Sequence, residues 1–473
     1  LLTGTVLAAA SPAFAQHENH DAPAEDQQEQ ADPEMMDHGS MDHGRMDHGS
    51  LDHGTMDQGA MGHESATAGQ DQSAHDGHEN AAPVAPGHAD HPGQDDSPGY
   101  GEGSGTARIP GKEGGMHGLH LSTGDWMVML HGFASAQYTD HGGPRGDELL
   151  YSTSMLMLAG ERHTDWGRIQ LKSMMSLEPT MSARGYPNLF ATGETADGES
   201  LVDRQHPHDL FMELAARVDF DIGEDASLFL YGGPVGEPAL GPSAFMHRGS
   251  AYNNPEPPIT HHWFDSTHIT YGVVTTGIAA RLWQLEASAF RGAEPDENRW
   301  DIETPRLDSW SVRATLTPSP NWAIQASYGE MQEPEALHPG EDEHRFTASV
   351  HYASGALSAM AAFSSKNRVP GDTLTAWLAE ANWDLDEYNS LFGRFENVAN
   401  DELFPDHDDP LHDETFRVSK FQLGYARHIP LTGPLALTLG ASGSAYAKPD
   451  ALDPYYGESP LGYTLFAKLR LGH

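Results

Sequence analysis

The sequence predicts an all-β fold: a transmembrane antiparallel β-barrel of the outer-membrane type, with about sixteen strands, behind an N-terminal arm that cannot build a core. Three observations predict it. From Trp126 onward, segments of about ten residues alternate in polarity. The gaps between them are alternately tight and long. The final segment, 462–473, alternates to the end of the chain.

Alternation comes first. In 209–220, Leu210, Met212, Leu214, Ala216, Val218 and Phe220 share one face, while Asp209, Glu213, Arg217 and Asp219 share the other. Period two is the strand period, because successive side chains of a strand point to opposite sides. A soluble sandwich alternates in the same way, so the connections decide. Thr164-Asp165, Gly223-Glu224-Asp225, Pro318-Ser319-Pro320, Ser354-Gly355, Asp386-Glu387 and Leu431-Thr432-Gly433 read as tight turns. Between them lie longer gaps at 179–207, 234–265, 294–305 and 401–413. Short turns on one rim and long loops on the other mark a membrane barrel, the short rim being periplasmic. Sixteen strands fit between 125 and 473, with fourteen to eighteen compatible; an even number returns both barrel ends to the periplasmic side. In the last strand Tyr463, Leu465, Ala467, Leu469 and Leu471 form an outward face, and Trp126, Tyr138, Trp166, Trp310, Trp322, Trp377 and Trp383 suit interfacial girdles.

Composition bounds the rest. The 473 residues carry 26 Lys+Arg against 70 Asp+Glu, a formal charge of −44 that repels nucleic acid and attracts cations. Cysteine is absent, which excludes disulfides, thiolate zinc sites and cysteine catalysis and leaves His, Met and carboxylate as metal ligands. Residues 1–15 read as the apolar and cleavage regions of a secretory signal, with Ala13-Phe14-Ala15 before Gln16. Residues 16–115 hold almost no core-forming side chains and are expected to be disordered, with 116–473 forming the barrel. No phosphate loop, HExxH or spaced Ser/His/acid set is present, so no enzymatic activity is expected.

Inside the arm runs a five-residue repeat: Met36-Asp37-His38-Gly39-Ser40, then MDHGR, MDHGS, LDHGT, MDQGA and MGHES. Five fits neither helix nor strand, and a glycine in each unit opposes both, so repetition here preserves ligand type. Thioether suits Cu(I), whereas imidazole binds Cu(II), Cu(I), zinc and nickel. The candidate metal ligands are Met36, His38, Met41, His43, Met46, His48, His53, Met56, Met61 and His63. A His-only arm would point to zinc or nickel; regular Met points to copper ions as the cargo.

These repeats, over roughly residues 36–63, resemble those of the copper-resistance protein B family, outer-membrane proteins with a Met/His-rich arm. The resemblance implies copper tolerance by sequestration or export. The expected location is the outer membrane with the arm in the periplasm, and the expected partners are outer-membrane lipid, metal ions and periplasmic copper-handling proteins. A general porin-like channel with the arm as a metal buffer is the alternative reading.

Two further groups lie in the barrel region. His206, His208 and Asp209 stand near Met246, His247, His261, His262 and His268 on the next long loop, and two His flanking Pro207 point the same way in extended chain. A second metal site between these loops competes with ordinary strand capping. In the first strands, Met127, Met129 and His131 are expected to face the lumen while Val128, Leu130 and Tyr138 face lipid. Met174 is expected inward beside Lys172 and Ser176. Met155 and Met157 share a face of unassigned direction. Gap-filling apolar packing is the plainer explanation of these methionines.

Overall fold

The computed structural model describes residues 99–114, 118–412 and 414–472. Eighteen barrel segments follow in order: β1 (Leu119–Thr123), β2 (Trp126–His141), β3 (Glu148–Tyr151), β4 (Ser154–Thr164), β5 (Gly167–Met175), β6 (Phe211–Asp221), β7 (Ala226–Gly236), β8 (Thr270–Ala280) and β9 (Trp283–Phe290). They continue with β10 (Ser309–Ser319), β11 (Trp322–Met331), β12 (Asp342–Ser354), β13 (Leu357–Val369), β14 (Thr373–Asp386), β15 (Asn389–Asn400), β16 (Phe416–Pro430), β17 (Leu435–Ala447) and β18 (Leu461–Leu471). Each pairs antiparallel with its neighbours, and the sheet closes on itself. β3 and β4 share one strand position beside β2, pairing with its two halves. β1 and β18 share another, on the other edge of β2. Eighteen segments therefore make a closed sixteen-strand barrel.

The expected rim asymmetry is present. Tight turns at 124–125, 165–166, 222–225, 281–282, 320–321, 355–356, 387–388 and 431–434 form one rim. The other carries the loops 176–210, 237–269, 291–308, 401–415 and 448–460. Along β6 the outward positions are Leu214, Ala216, Val218 and Phe220, with Glu213, Arg217 and Asp219 buried inside. Met212 departs from the simple alternation: a register shift between Phe211 and Glu213 turns it inward, where it is 1% exposed.

The exterior is apolar. Leu423 is 70% exposed, and Leu230, Leu285, Leu316 and Leu465 are also exposed, although no water-soluble protein gains from such a belt. Trp126, Trp166, Trp322 and Trp383 cluster toward the turn rim, while Tyr138, Trp310 and Trp377 lie toward the loop rim. Trp377 and Trp383 sit on one strand, roughly 20 Å apart at the strand rise. An apolar band between two aromatic girdles is the exterior of a barrel that spans a bilayer. A concavity of about 1200 Å³ in this outer wall lies where Ala361, Ala379 and Ala381 make it thin.

Residues 99–114, read from composition as the end of the arm, are folded; the boundary at 115 falls too late. Tyr100–Glu102 and Arg108–Pro110 pair as a hairpin whose tip is buried in the barrel. Thr106 Oγ1 donates to Glu286 at 2.5 Å, Arg168 pairs with Glu102 at 2.6 Å, and Lys172 Nζ reaches the Gly105 carbonyl at 3.3 Å. A Cβ on Gly103 would stand 2.4 Å from Ser243 Oγ, and Gly105 has φ +52°, so these two positions favour glycine. The stem returns to the turn rim, where the Lys112 amide donates to the Pro320 carbonyl at 2.7 Å. The signal segment, 1–15, and all ten arm ligands lie outside the described residues.

An arginine on the lipid face near the middle of a strand costs about 2–4 kcal/mol, since hydrocarbon cannot solvate it. Leu465→Arg is expected to lower unfolding free energy by that amount in denaturant titrations of the vesicle-reconstituted barrel. A loss under about 0.5 kcal/mol, the level of an ordinary surface change, would place Leu465 elsewhere.

Candidate metal centre

The loops of the wide rim turn inward and fill the lumen beneath them. Loop 176–210 is braced by two small hairpins, Tyr186–Pro187 with Arg204–Gln205 and Glu194–Ala196 with Glu199–Leu201. The Phe190 amide donates to Asp203 at 2.8 Å, and Asp203 pairs with Arg145 at 2.8 Å. The extended stretch after Gln205 then delivers His206 and His208 to one side, as alternation across Pro207 requires. Loop 237–269 is anchored by Arg248, whose fully buried guanidinium meets Glu380 at 2.8 Å and Asp265 at 3.1 Å. Arg394 holds the other Glu380 oxygen at 3.0 Å. From this anchor a single helical turn, His261–Phe264, and the following turn at Ser266–His268 present three more imidazoles.

Five histidines thus converge: His206, His208, His261, His262 and His268, all buried. Ring centroids lie 5.1 Å apart for His261 and His268, 5.3 Å for His261 and His262, 5.4 Å for His208 and His268, and 6.1 Å for His206 and His261. One nitrogen each of His206, His261 and His262 falls within a 4.8 Å group, and Glu194, His262 and Glu294 form a second such group.

The hydrogen bonds decide which nitrogens are open. His206 Nδ1 lies 3.0 Å from the Pro207 carbonyl, His268 Nδ1 2.7 Å from the Asp265 carbonyl, and His208 Nδ1 2.8 Å from Glu178. Facing a carbonyl, Nδ1 of His268 carries the hydrogen, so its neutral ring keeps the lone pair on Nε2; burial opposes charge on His208, but Glu178 outweighs it and raises its pKa. Nε2 of His208 and of His268 has no hydrogen-bond partner among the described residues, and neither has Nδ1 of His261. A ring oriented through one nitrogen and open at the other is the arrangement of a metal ligand with its supporting oxygen. Burial among other imidazoles pushes His261 and His268 well below the usual histidine range, keeping them neutral donors. Burial opposes charge on His262 too, but Glu294 and Glu194 outweigh it and push it up to about 9. Glu194 also meets His206 Nε2 at 2.9 Å and Arg299 at 3.0 Å.

Of the expected candidates, Asp209 stands apart: it accepts from Tyr271 at 3.1 Å and Arg299 at 3.3 Å and holds the loop. Glu178, Glu194 and Glu294 belong to the site but carry no sequence signal that separates them from other loop acids. Glu335, His338 and Glu402 also approach one another, yet Lys366 and Arg368 already neutralise those carboxylates.

Below this centre, toward the narrow rim, the methionines meet. Met129, Met155, Met157, Met174 and Met212 all face inward and form one buried cluster, with Met246 of loop 237–269 packed on it. Met174 is inward beside buried Lys172 and Ser176, as expected; Met127 shares the face of Met129, opposite Glu161, and is 45% exposed at the start of β2.

A closed sixteen-strand barrel with an apolar belt and an inward-folded loop set is an outer-membrane protein of porin-like architecture. No family model matches the chain, and no curated protein matches it. Among solved structures it is similar to OmpF of Salmonella typhi, solved in complex with daunomycin (TM-score 0.49, 9% identity, covering 75% of this chain and 100% of that one). It is also similar to an anion-selective porin from Comamonas acidovorans (0.44, 12%, 73% and 100%). A third is the outer-membrane channel DcaP of Acinetobacter baumannii (0.44, 12%, 75% and 100%).

Removing Arg248 leaves Asp265 buried without its cation, a change that costs about 3–5 kcal/mol. Arg248→Met is therefore expected to release loop 237–269, exposing Tyr252, Trp263 and Phe264 to chymotrypsin while the barrel still migrates as a folded species. Resistance equal to the parent would show that the loop is held by other contacts.

Proposed function

We propose that the protein binds copper at the outer membrane and contributes to copper tolerance by sequestration or export. The buried histidine cluster, with its open ring nitrogens inside the barrel, carries this reading. Imidazoles oriented by carbonyl or carboxylate oxygen suit Cu(II) and Cu(I), and the acidic residues around them concentrate cations. The Met/His repeat of the arm supplies a second donor set of the same chemistry. The stem of the 99–114 hairpin leaves the barrel at the short-turn rim, which is periplasmic in barrels of this type, so the arm would collect ions there. Periplasmic copper-handling proteins are the natural exchange partners on that side.

A general solute channel is the weaker reading. Loops and the hairpin occupy the lumen among the described residues, and the two cavities beside His131 and Met246 measure about 70 and 170 Å³, room for ions and a few waters.

Metal content of the full chain, purified after growth in mixed metals, tests the proposal. Copper is expected to exceed zinc and nickel. Changing the ten arm donors (Met to Leu, His to Gln) is expected to remove most of it while leaving a tightly held fraction. Adding His206→Gln, His208→Gln and His261→Gln is expected to weaken binding of that fraction at least 100-fold. A remaining fraction indifferent to the three histidines would overturn the lumenal site, and parent protein loaded with zinc would overturn copper.

A further inference from the structure

Of the buried apolar clusters among the described residues, the two largest differ in composition. One has twenty buried residues, almost all Leu, Phe, Val, Ile, Ala, Tyr and Trp, with Met360 its lone methionine. The other has nine, of which five are methionine. Both seat loops against a strand wall, so packing alone asks the same of each. Leucine fills such space with better-defined rotamers than methionine, which specifies a core poorly. The excess of thioether in the second cluster therefore calls for a property that leucine lacks.

The register brings the sulfurs together. On the lumenal face, Met157 of β4 stands directly opposite His131 of β2 and Met174 of β5. Directly opposed side chains have Cβ atoms about 4.5–5.5 Å apart, within reach of a shared ion between long flexible arms. Met155 precedes Met157 by two residues on the same face, and the shift in β6 turns Met212 into the group. Met246 closes it from the loop side. The next residue, His247, has a buried Nε2 with no hydrogen-bond partner among the described residues.

The cluster also lies on a route. A cavity of about 70 Å³ touches Met155, Met246, His131 and His208, so it joins two of the methionines to one histidine of the centre. A second, of about 170 Å³, shares His131 and Met246 and continues past His247 to Gly114 and Gly355 at the turn rim. Phe245 stands at the junction, its ring 5.9 Å from His261 and 6.4 Å from His208.

We infer that Met155, Met157 and Met174, with Met246, form a second lumenal site, selective for a soft monovalent cation, Cu(I) or Ag(I), held through thioether sulfur. Thioethers coordinate such ions without a proton to lose, whereas hard or borderline divalent ions prefer the imidazoles and carboxylates above. The site lies between the histidine centre and the narrow rim, so a soft ion moving along the lumen meets it. The inference rests on the copper reading only for which cation the cell supplies; the donor chemistry stands apart from it.

The test uses the full chain with its ten arm donors changed, so that only lumenal donors remain, and Ag(I) as a probe that needs no reductant. One silver per chain is expected, with a sulfur shell in X-ray absorption spectra. Met155→Leu/Met157→Leu/Met174→Leu is expected to weaken Ag(I) binding at least 100-fold and abolish that shell. Leucine for methionine keeps the volume and is well tolerated in cores, and heat-modifiable migration reports whether the barrel is intact. A second variant, Met155→Leu/Met157→Leu, covers the case in which the triple variant fails to fold. Cu(II) bound at the histidines is expected to persist in the methionine variants. A silver site without sulfur scatterers, or one unchanged by these substitutions, overturns the inference and leaves the histidine centre standing. Loss of Cu(II) in the histidine variants alone, with the sulfur shell intact, supports two separate sites.

Discussion

A backbone amide or carbonyl inside hydrocarbon has no water to bond with, and each one left unpaired costs several kcal/mol. A sheet meets that demand only by closing. Here closure is made by β2, whose upper half pairs with the last strand, Gly462 to Leu471, and whose lower half pairs with the first, Leu119 to Thr123. One strand position is thus completed by both ends of the chain. The arrangement goes with an even number of strand positions, sixteen, in the closed sheet. It also leaves the stretch before β1 beside the open end of the lumen, where the 99–114 hairpin has folded in.

Closure also creates an interior that loops must fill or leave to water, and this barrel fills much of it. Charged side chains there are bound in sets: Arg313 with Glu286 at 2.9 Å, Lys420 with Glu256 at 2.9 Å, Arg345 with Glu343 at 2.6 Å. Such pairs are poor sources of net stability, because taking two charges from water offsets most of their attraction, but breaking one is costly. Their effect is to fix geometry. Arg248 ties one loop to two strands through Glu380 and Arg394, and Arg299 ties Asp209 to Glu194 across two other loops. The histidine centre lies among these anchored loops, and so its rings hold their positions.

Much of this was readable from residues alone, for reasons that are local. Alternation in 342–353 or 460–473 reports which face meets lipid, and observed β12 and β18 begin at 342 and 461. Turn residues such as Ser354-Gly355 set the ends, so the strand count emerged as sixteen. Four features escaped. The 99–114 hairpin has a polar, glycine-rich composition resembling the arm's, and its partners Glu286, Arg313 and Ser243 are distant in sequence. The inward turn of Met212 comes from a register shift that alternation does not encode. The direction of Met155 and Met157 depended on pairing with β2 and β5, which the run Ser-Met-Leu-Met-Leu leaves ambiguous because both faces are apolar. His206, His208, His261, His262 and His268 stood out as a group, but the acids that orient them did not.

The separation of the two donor types follows from what each demands of its surroundings. An imidazole must dispose of its second nitrogen, which requires a nearby oxygen of fixed position. Strand backbones have spent theirs on the ladder, so that oxygen comes from loops: the Pro207 and Asp265 carbonyls and the Glu178 carboxylate. Histidines of the centre accordingly sit on loops 176–210 and 237–269. A thioether has no second polar atom and needs only volume around it, a requirement that the pleat of three neighbouring strands meets directly. Met129, Met155, Met157 and Met174 are therefore carried by β2, β4 and β5, below the loops that carry the histidines. Each side chain lies where its hydrogen-bonding needs can be met, the rings on loops and most of the clustered thioethers on strands.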